Sequence, residues 1–414
     1  MRVRIHRGAR QIGGTVVELE HDGRRLLLDC GLPLDGDPDD PGVMPAVDGL
    51  AVADDGLLGV VLSHGHRDHW GLLPRARAAL PIFMGEATER IFTAAAPFVP
   101  GTLTTKASGH LVDGQPLEVG PFAVTPHLVC HSAFDAYELT VDAGGRRLFY
   151  SGDIRGHGRK AQLFERLIAQ PPSNVDAMLM EGSSIGRLDA ASRFPSEGDI
   201  ESQLFDAIAA TEGMALVAAS AQNIDRVVSI FRATRRAGRT LVVDLYAAEI
   251  LHATNRATIP QTSWPDVALF TPQHQRVKIK AEGLFPLLDR HKANRAFPEA
   301  LAAEPSRFVV LFRGTMLADL VRAGCLSGAR AIWPQWDGYL KDERGASLQA
   351  ALAAASVPLD VIHTSGHASI FDLQRLAAAI RPRALVPIHT FEAGRFPSLF
   401  DNVVVRADGE WWEV

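Results

Sequence analysis

Three cysteines in 414 residues, at positions 30, 130 and 325, are too few for a disulfide framework, and none belongs to a CxxC pair. An odd count without zinc-type spacing excludes a thiolate metal ribbon and points to a reducing compartment. No stretch of eighteen apolar residues occurs, and the start MRVRIHRGARQIGG has no apolar segment of the kind that leads a secretory peptide. Neither a membrane span nor a signal peptide is therefore expected, and the protein is read as cytoplasmic. Positive charge is also short: 42 Lys and Arg stand against 48 Asp and Glu, a net charge of −6. That balance argues against salt-driven nucleic-acid binding over a broad basic surface, while leaving room for a local channel. Low-complexity tracts and repeats are absent. Apolar residues make up 47% of the chain, ample for a sizeable core in two or three structural units.

Against this background one segment stands out. HGHRDH at 64 to 69 places His64, His66, Asp68 and His69 within six residues, directly after the apolar run Leu57, Leu58, Val60, Val61, Leu62. The run reads as a buried strand, so the cluster lies in a loop at the strand's carboxyl end. Imidazole suits zinc and similar divalent ions, and a carboxylate in the same loop suits a second ion. His64 and His66 can converge on one ion, with Asp68 and His69 facing a second.

Further ligand-type residues follow other predicted strands. His131 comes after Val124 to Val129, Asp153 after Leu148, Phe149 and Tyr150, and His389 after Ala384 to Ile388. Ligands carried on the ends of strands are held more rigidly than ligands on free loops, as a preorganised metal site requires.

This set resembles the metallo-β-lactamase fold, whose pattern of an early Asp, HxHxDH, a later His, a later Asp and a final His is matched by Asp29 (in LLLDCG), the HGHRDH run, His131, Asp153 and His389. Some 235 residues separate Asp153 from His389, far more than a plain hydrolase of that fold needs. The gap and the motifs around it resemble the β-CASP subgroup, the nucleic-acid-processing branch that includes ribonuclease J and the cleavage nuclease of messenger RNA 3′-end formation. Those motifs are Glu181 in MLMEGSS, His367 in HTSGHAS and His389 in VPIHTFE, together with AQNIDRVVSIFRATRRAGRTLVV, similar to the start of the subgroup's inserted domain.

The resemblance implies an α/β chain: an αββα sandwich interrupted by a parallel α/β domain. Residues 1–190 are expected to form the first part of the metallo-β-lactamase domain, 191–355 the insert, and 356–414 the second part. Ser196 is expected to cap the insert's first helix, and strands at 215–219, 240–244 and 308–312 alternate with helices as in βαβ units. The strand 359–362 is read as the return to the first domain. The resemblance further implies two divalent ions, zinc with manganese as the alternative, roughly 3.5 to 4 Å apart and activating a hydroxide that attacks phosphorus. His64, His66 and His131 would hold one ion, Asp68, His69 and His389 the other, and Asp153 would bridge. Asp29 would support the histidine loop, Asp68 would orient the water, His367 would protonate the leaving oxygen with Glu181 orienting it, and His363 and Ser365 would bind phosphate.

A histidine at position 389 is associated in the subgroup with RNA-directed members, so a single-stranded RNA substrate is expected. DNA-directed cleavage, and a small-molecule metallo-hydrolase acting on an ester, lactam or thioester, stay open, as does a nucleic-acid-binding protein without turnover. LFRGTMLADL at 311 to 320 departs from the Ser-Gln-Gly loop of ribonuclease J, so dependence on a 5′-monophosphate does not carry over. Only about 25 residues follow His389, so the C-terminal domain of longer relatives is not expected and their oligomeric state does not carry over either. The basic residues of the insert, among them Arg226, Arg232, Arg235, Arg236 and Arg276, are expected mostly on solvated helix faces, whereas Arg313 and Gly314 are candidate phosphate contacts. HQRVKIK at 274 to 280 is the expected exception, in contact with a nucleic-acid strand.

Overall fold

The computed structural model describes residues 1–414. The chain divides into two compact units, one of Met1–Phe194 with Gly366–Val414, the other of Pro195–Ser365.

In the first unit the strands are β1 Arg2–Arg7, β2 Val16–His21, β3 Arg24–Leu28, β4 Leu57–Val61, β5 Ile82–Gly85, β6 Gly109–Leu111, β7 Leu117–Val119, β8 Phe122–Val129, β9 Ala136–Ala143, β10 Arg146–Tyr150 and β11 Ala177–Glu181. The second unit contributes β12 Ala215–Val217, β13 Thr240–Val243, β14 Val267–Leu269, β15 Phe308–Leu311, β16 Arg330–Trp333 and β17 Leu359–Val361. β18 Ala384–Ile388 and β19 Trp411–Glu413 belong to the first unit again.

The first unit holds two mixed sheets, ordered β19-β1-β2-β3-β4-β5-β6 and β18-β11-β10-β9-β8-β7. Val3, Ile5, Leu19 and Leu26 from one sheet meet Phe122, Leu139, Val141 and Leu179 from the other in a single apolar core. The period-two alternation of side chains along each strand puts these residues on the inward face. Phe149, Met178 and Met180 point the opposite way, and there they pack under the helices Ala161–Ala169 and Ile370–Ile380. Helix, sheet, sheet and helix in layers are the αββα sandwich, with β8, β10, β11 and β18 all ending at the same edge.

The second unit is one all-parallel sheet, ordered β14-β13-β15-β12-β16-β17. Its strands are short and apolar on both faces, as parallel strands covered by helices must be. Its first helix, Glu197–Ala209, starts with a reciprocal capping box between Ser196 and Asp199. The Oγ1 of Thr364 donates 2.6 Å to the Pro195 carbonyl, tying together the two ends of the unit.

One element differs from the sequence reading. β17 does not return to the sandwich but pairs in parallel with β16 and forms the edge of the second unit's sheet. A three-residue strand carries no pattern that says which of two sheets it joins. HQRVKIK lies in the helix Gln273–Glu282, where Lys278 is paired with Glu282.

Candidate metal centre

The HGHRDH loop is held by the segment after β3. Asp29 has φ +60°, which turns the chain so that Cys30 N–H donates to the His69 carbonyl (2.7 Å). Gly31 then passes so near the loop that a Cβ there would lie 1.7 Å from the Asp68 carbonyl oxygen. No other residue fits this crossing. The Asp68 carbonyl accepts from Thr15 N–H (3.1 Å), and Trp70 Nε1–H donates to the Gly65 carbonyl (3.0 Å).

Two groups of side chains converge above the strand ends. His64, His66, His131 and Asp153 form one; Asp68, His69, Asp153 and His389 form the other; within each group the ligand atoms lie within 4.8 Å of one another. Asp153 is common to both. Its Oδ2 is 3.7 Å from His64 Nε2, 3.9 Å from His131 Nε2, 3.2 Å from His69 Nε2 and 3.7 Å from His389 Nε2. His66 presents Nδ1, 3.2 Å from His64 Nε2 and 3.0 Å from His131 Nε2. Asp68 Oδ2 lies 3.8 Å from His69 Nε2 and 3.9 Å from His389 Nε2.

The outer nitrogens of three imidazoles are spoken for. His69 Nδ1–H donates to Asp29 Oδ2 (2.7 Å) and His64 Nδ1–H to Ser63 Oγ (3.0 Å) in the tautomer that turns each Nε2 toward the cluster, while His389 Nδ1 is paired with Thr15 Oγ1 (3.0 Å) and lies 3.4 Å from the Gly13 N–H, which also leaves its Nε2 facing the cluster. Ser63 Oγ–H passes its own proton to Asp29 Oδ2 (2.7 Å), and Tyr150 OH donates to the same oxygen (2.6 Å). Asp29 is thus a second-rank support for two histidines. His389 Nε2 and Asp153 Oδ1 are buried without any hydrogen-bond partner. Buried polar atoms in that condition are costly, and a set of imidazole and carboxylate donors around them fits divalent cations of the zinc and manganese class.

The electrostatics agree. Burial drives His64 and His131 well below the ordinary imidazole value, with neighbouring imidazoles adding to it. Burial also pushes His66 down to about 4. For His69 burial works the same way, but Asp153, Asp29 and Asp68 outweigh it and hold the ring well above its usual value. Burial would raise Asp153, yet His389 and His69 keep it ionised.

Comparison with known proteins follows the same line. No family model matches the chain. It is 26% identical to ribonuclease J of Mycobacterium tuberculosis over 94% of its own length and 68% of that protein's. Ribonuclease J 2 of Streptococcus pyogenes is 24% identical over 92% of this chain and 68% of the relative. A crystal structure of a protein of unknown function from Enterococcus faecalis superposes with a TM-score of 0.79, covering 99% of both chains at 20% identity. The chain is a ribonuclease J-like protein of the metallo-β-lactamase fold. As a ribonuclease J-like metallo-hydrolase it has two buried His/Asp clusters able to bind metal ions.

Beside those clusters of the ribonuclease J-like protein stands His367. Its Nδ1 is 3.3 Å from both oxygens of Glu181 and 3.8 Å from Asp153 Oδ2, and its ring stacks on His389 at 5.5 Å. Burial lowers it, but Glu181 and Asp153 prevail and lift it to about 9. Glu181 is itself fixed by Ser183 Oγ–H (2.5 Å), Ser183 N–H (3.2 Å) and Ile154 N–H (3.3 Å). His363 and Ser365 belong to the second unit, where burial first and Arg226 second push His363 down to about 4. Sequence reasoning missed Thr15, Ser63, Tyr150 and Ser183. Ser63 beside His64 and Ser183 two residues after Glu181 carry only the signal of adjacency, and Thr15 carries none.

Proposed function

We propose that this protein hydrolyses phosphodiester bonds in single-stranded RNA. Support comes from likeness to ribonucleases J along nearly the whole chain. The observation that carries the reading is His367, held 3.3 Å from Glu181 at the rim of a paired His/Asp cluster. A small-molecule hydrolase with a reactive leaving group has less need of such a donor; a ribose alkoxide leaving group needs one.

His64, His66 and His131 would hold one divalent ion, zinc or manganese, and Asp68, His69 and His389 the other, with Asp153 between them. When bound, the ions supply Lewis-acid stabilisation of phosphate charge and acidify water. Asp68, the more exposed of the two carboxylates, accepts a hydrogen bond from the attacking water and sets its direction. His367 Nδ1–H remains on Glu181, so the proton delivered to the departing 3′-oxygen is the one on Nε2. Asp29 and Thr15 keep the imidazoles from turning as charge moves. His363 and Ser365 are assigned to the phosphates flanking the scissile one, and residues 195–365 to the β-CASP insert that carries the strand.

The test is cleavage of matched, end-labelled single-stranded RNA and DNA by metal-analysed protein, with Asp68→Ala as control. RNA cut by the parent and spared by the variant is the expected result, and the fragment ladder separates endo from exo cleavage. DNA cut in preference to RNA moves the assignment to a DNA-directed nuclease. If two ions are present and neither polymer is cut, a small-molecule metallo-hydrolase replaces it.

A further inference from the structure

The helix Ile224–Arg236 ends in three arginines, Arg232, Arg235 and Arg236, at spacings that put them on one face. With Phe231, Pro260 and Trp264 they line a groove of about 530 Å³ on the second unit. That volume falls within the roughly 300 to 1,000 Å³ typical of ligand sites. The guanidinium groups are largely open to solvent, with side-chain exposures of 59%, 69% and 48%. Two carboxylates face them: Glu201, which also lines the groove, is shared by Arg232 at 4.0 Å and Arg236 at 3.7 Å, and Asp266 is 3.4 Å from Arg235. Such pairs are weak, and most N–H donors of the three forks are not consumed by them. Trp264 stands edge-to-face on Phe231 at 5.4 Å, which fixes its ring while leaving part of it on the surface. Arg236 is steadied over the Phe205 ring at 4.3 Å.

The topology separates this groove from the ends of the unit. The helix leaves the carboxyl end of β12, so its last turn lies at the amino edge of the parallel sheet, as does the 258–264 segment that leads into β14. The return at Thr364 leaves from the carboxyl edge, after β17.

We propose that the Arg232–Arg235–Arg236–Trp264 groove is a binding site for the phosphate backbone of single-stranded nucleic acid, with a base stacked on Trp264. Forked guanidinium groups match phosphate oxygens in pairs, and a fixed indole offers a face to any base without sequence preference. A net positive, aromatic-floored groove in a chain of net charge −6 is a local attraction set against general repulsion, so this surface selects where a polyanion settles. The choice of polymer rests on the function proposed above; the groove's affinity for a phosphate-bearing strand does not depend on turnover.

The experiment is fluorescence anisotropy of the full-length protein with a labelled poly-uridine 20-mer in EDTA, repeated over a salt series. Hydrolysis of bis(p-nitrophenyl) phosphate by metal-loaded protein is read in parallel. The triple variant Arg232→Gln, Arg235→Gln, Arg236→Gln should weaken binding at least tenfold and reduce the salt slope by about 2, since each phosphate contact on a single strand contributes roughly 0.7. Trp264→Ala should weaken binding while Trp264→Phe largely restores it, which a folding defect would not do. Small-substrate hydrolysis should stay within twofold of the parent in all variants. An unchanged affinity and slope in the triple variant overturns the proposal, and so does strong binding of poly-glutamate in place of RNA, which would make the groove a site for an acidic protein segment. If binding behaves as expected but the parent cleaves neither RNA nor the small phosphodiester, the groove stands and the nuclease assignment falls.

Discussion

Both units bury histidines against carboxylates, but they use them differently. His291 in the second unit is 2% exposed, with Nδ1 on Thr262 Oγ1 (2.8 Å) and Nε2 on Glu249 Oε1 (2.8 Å), while Arg290 completes the charge on Glu249 at 2.7 Å. His389 in the first unit is equally buried, yet only Nδ1 has a partner. A histidine that serves the fold has both nitrogens satisfied. A histidine that serves a ligand keeps one lone pair in reserve, and the fold carries that cost until a cation arrives.

The strongest way to break this contrast is to remove Asp153, the one side chain common to both clusters. Asp153→Ala should bring bound metal from about two ions per chain toward zero and abolish cleavage, measured by elemental analysis of the purified protein. His291→Ala should do the reverse. It leaves Glu249 with Arg290 alone and the buried Thr262 hydroxyl without its imidazole, costing about 1 to 3 kcal/mol in urea unfolding, with metal content unchanged. A variant at 291 that also lost its ions, or one at 153 that kept them, would erase the distinction.

A smaller effect is expected one rank out. Thr15→Val removes the hydroxyl partner of His389 Nδ1, and Asp29→Asn removes the charge that fixes His69; each should weaken metal binding about 10- to 100-fold in a chelator competition while the fold persists.

The same contrast applies to two buried glutamates. Glu18 is held by Arg4, His6 and Arg25, and although burial opposes it, His6 and Arg4 bring it down to about 2. Its ionised form stabilises the fold above its ordinary value of 4.5, by about 3 kcal/mol at 1.36 per pH unit, and that contribution drains away as pH falls toward 2. Glu138 has no partner for either oxygen, and burial alone holds it well above 4.5. It stays protonated, so its contribution declines as pH rises past 4.5. Glu18→Gln should therefore be destabilising at pH 7 and progressively less so as pH falls from 4.5 toward 2, whereas Glu138→Gln should gain stability relative to the parent steadily from pH 5 to 8. Urea midpoints from pH 2 to 8 check both.

The sequence was legible where chemistry is dense or periodicity long. HGHRDH packs four ligand-type residues into one loop, and Asp153 and His389 follow strands whose apolar runs are unmistakable. The parallel sheet of the second unit was visible in the alternation of short apolar strands with amphipathic helices. What escaped was whatever depends on tertiary neighbours. Thr15 lies 374 positions from His389 along the chain, and no local pattern connects them. Arg232, Arg235 and Arg236 look like any solvated helix face until the packing sets Trp264 beside them.

The hydrogen bond from Thr364 to Pro195 has a consequence for assembly of the chain. β11 and β18 are neighbours in one sheet although Ala177 and Ala384 are far apart in sequence, and closing so long a loop is a slow search. Once residues 195–365 have folded and their ends are clasped, the search is only as wide as the clasp. The insert then acts as a short tether, so its size can vary greatly without altering how the sandwich around it is completed.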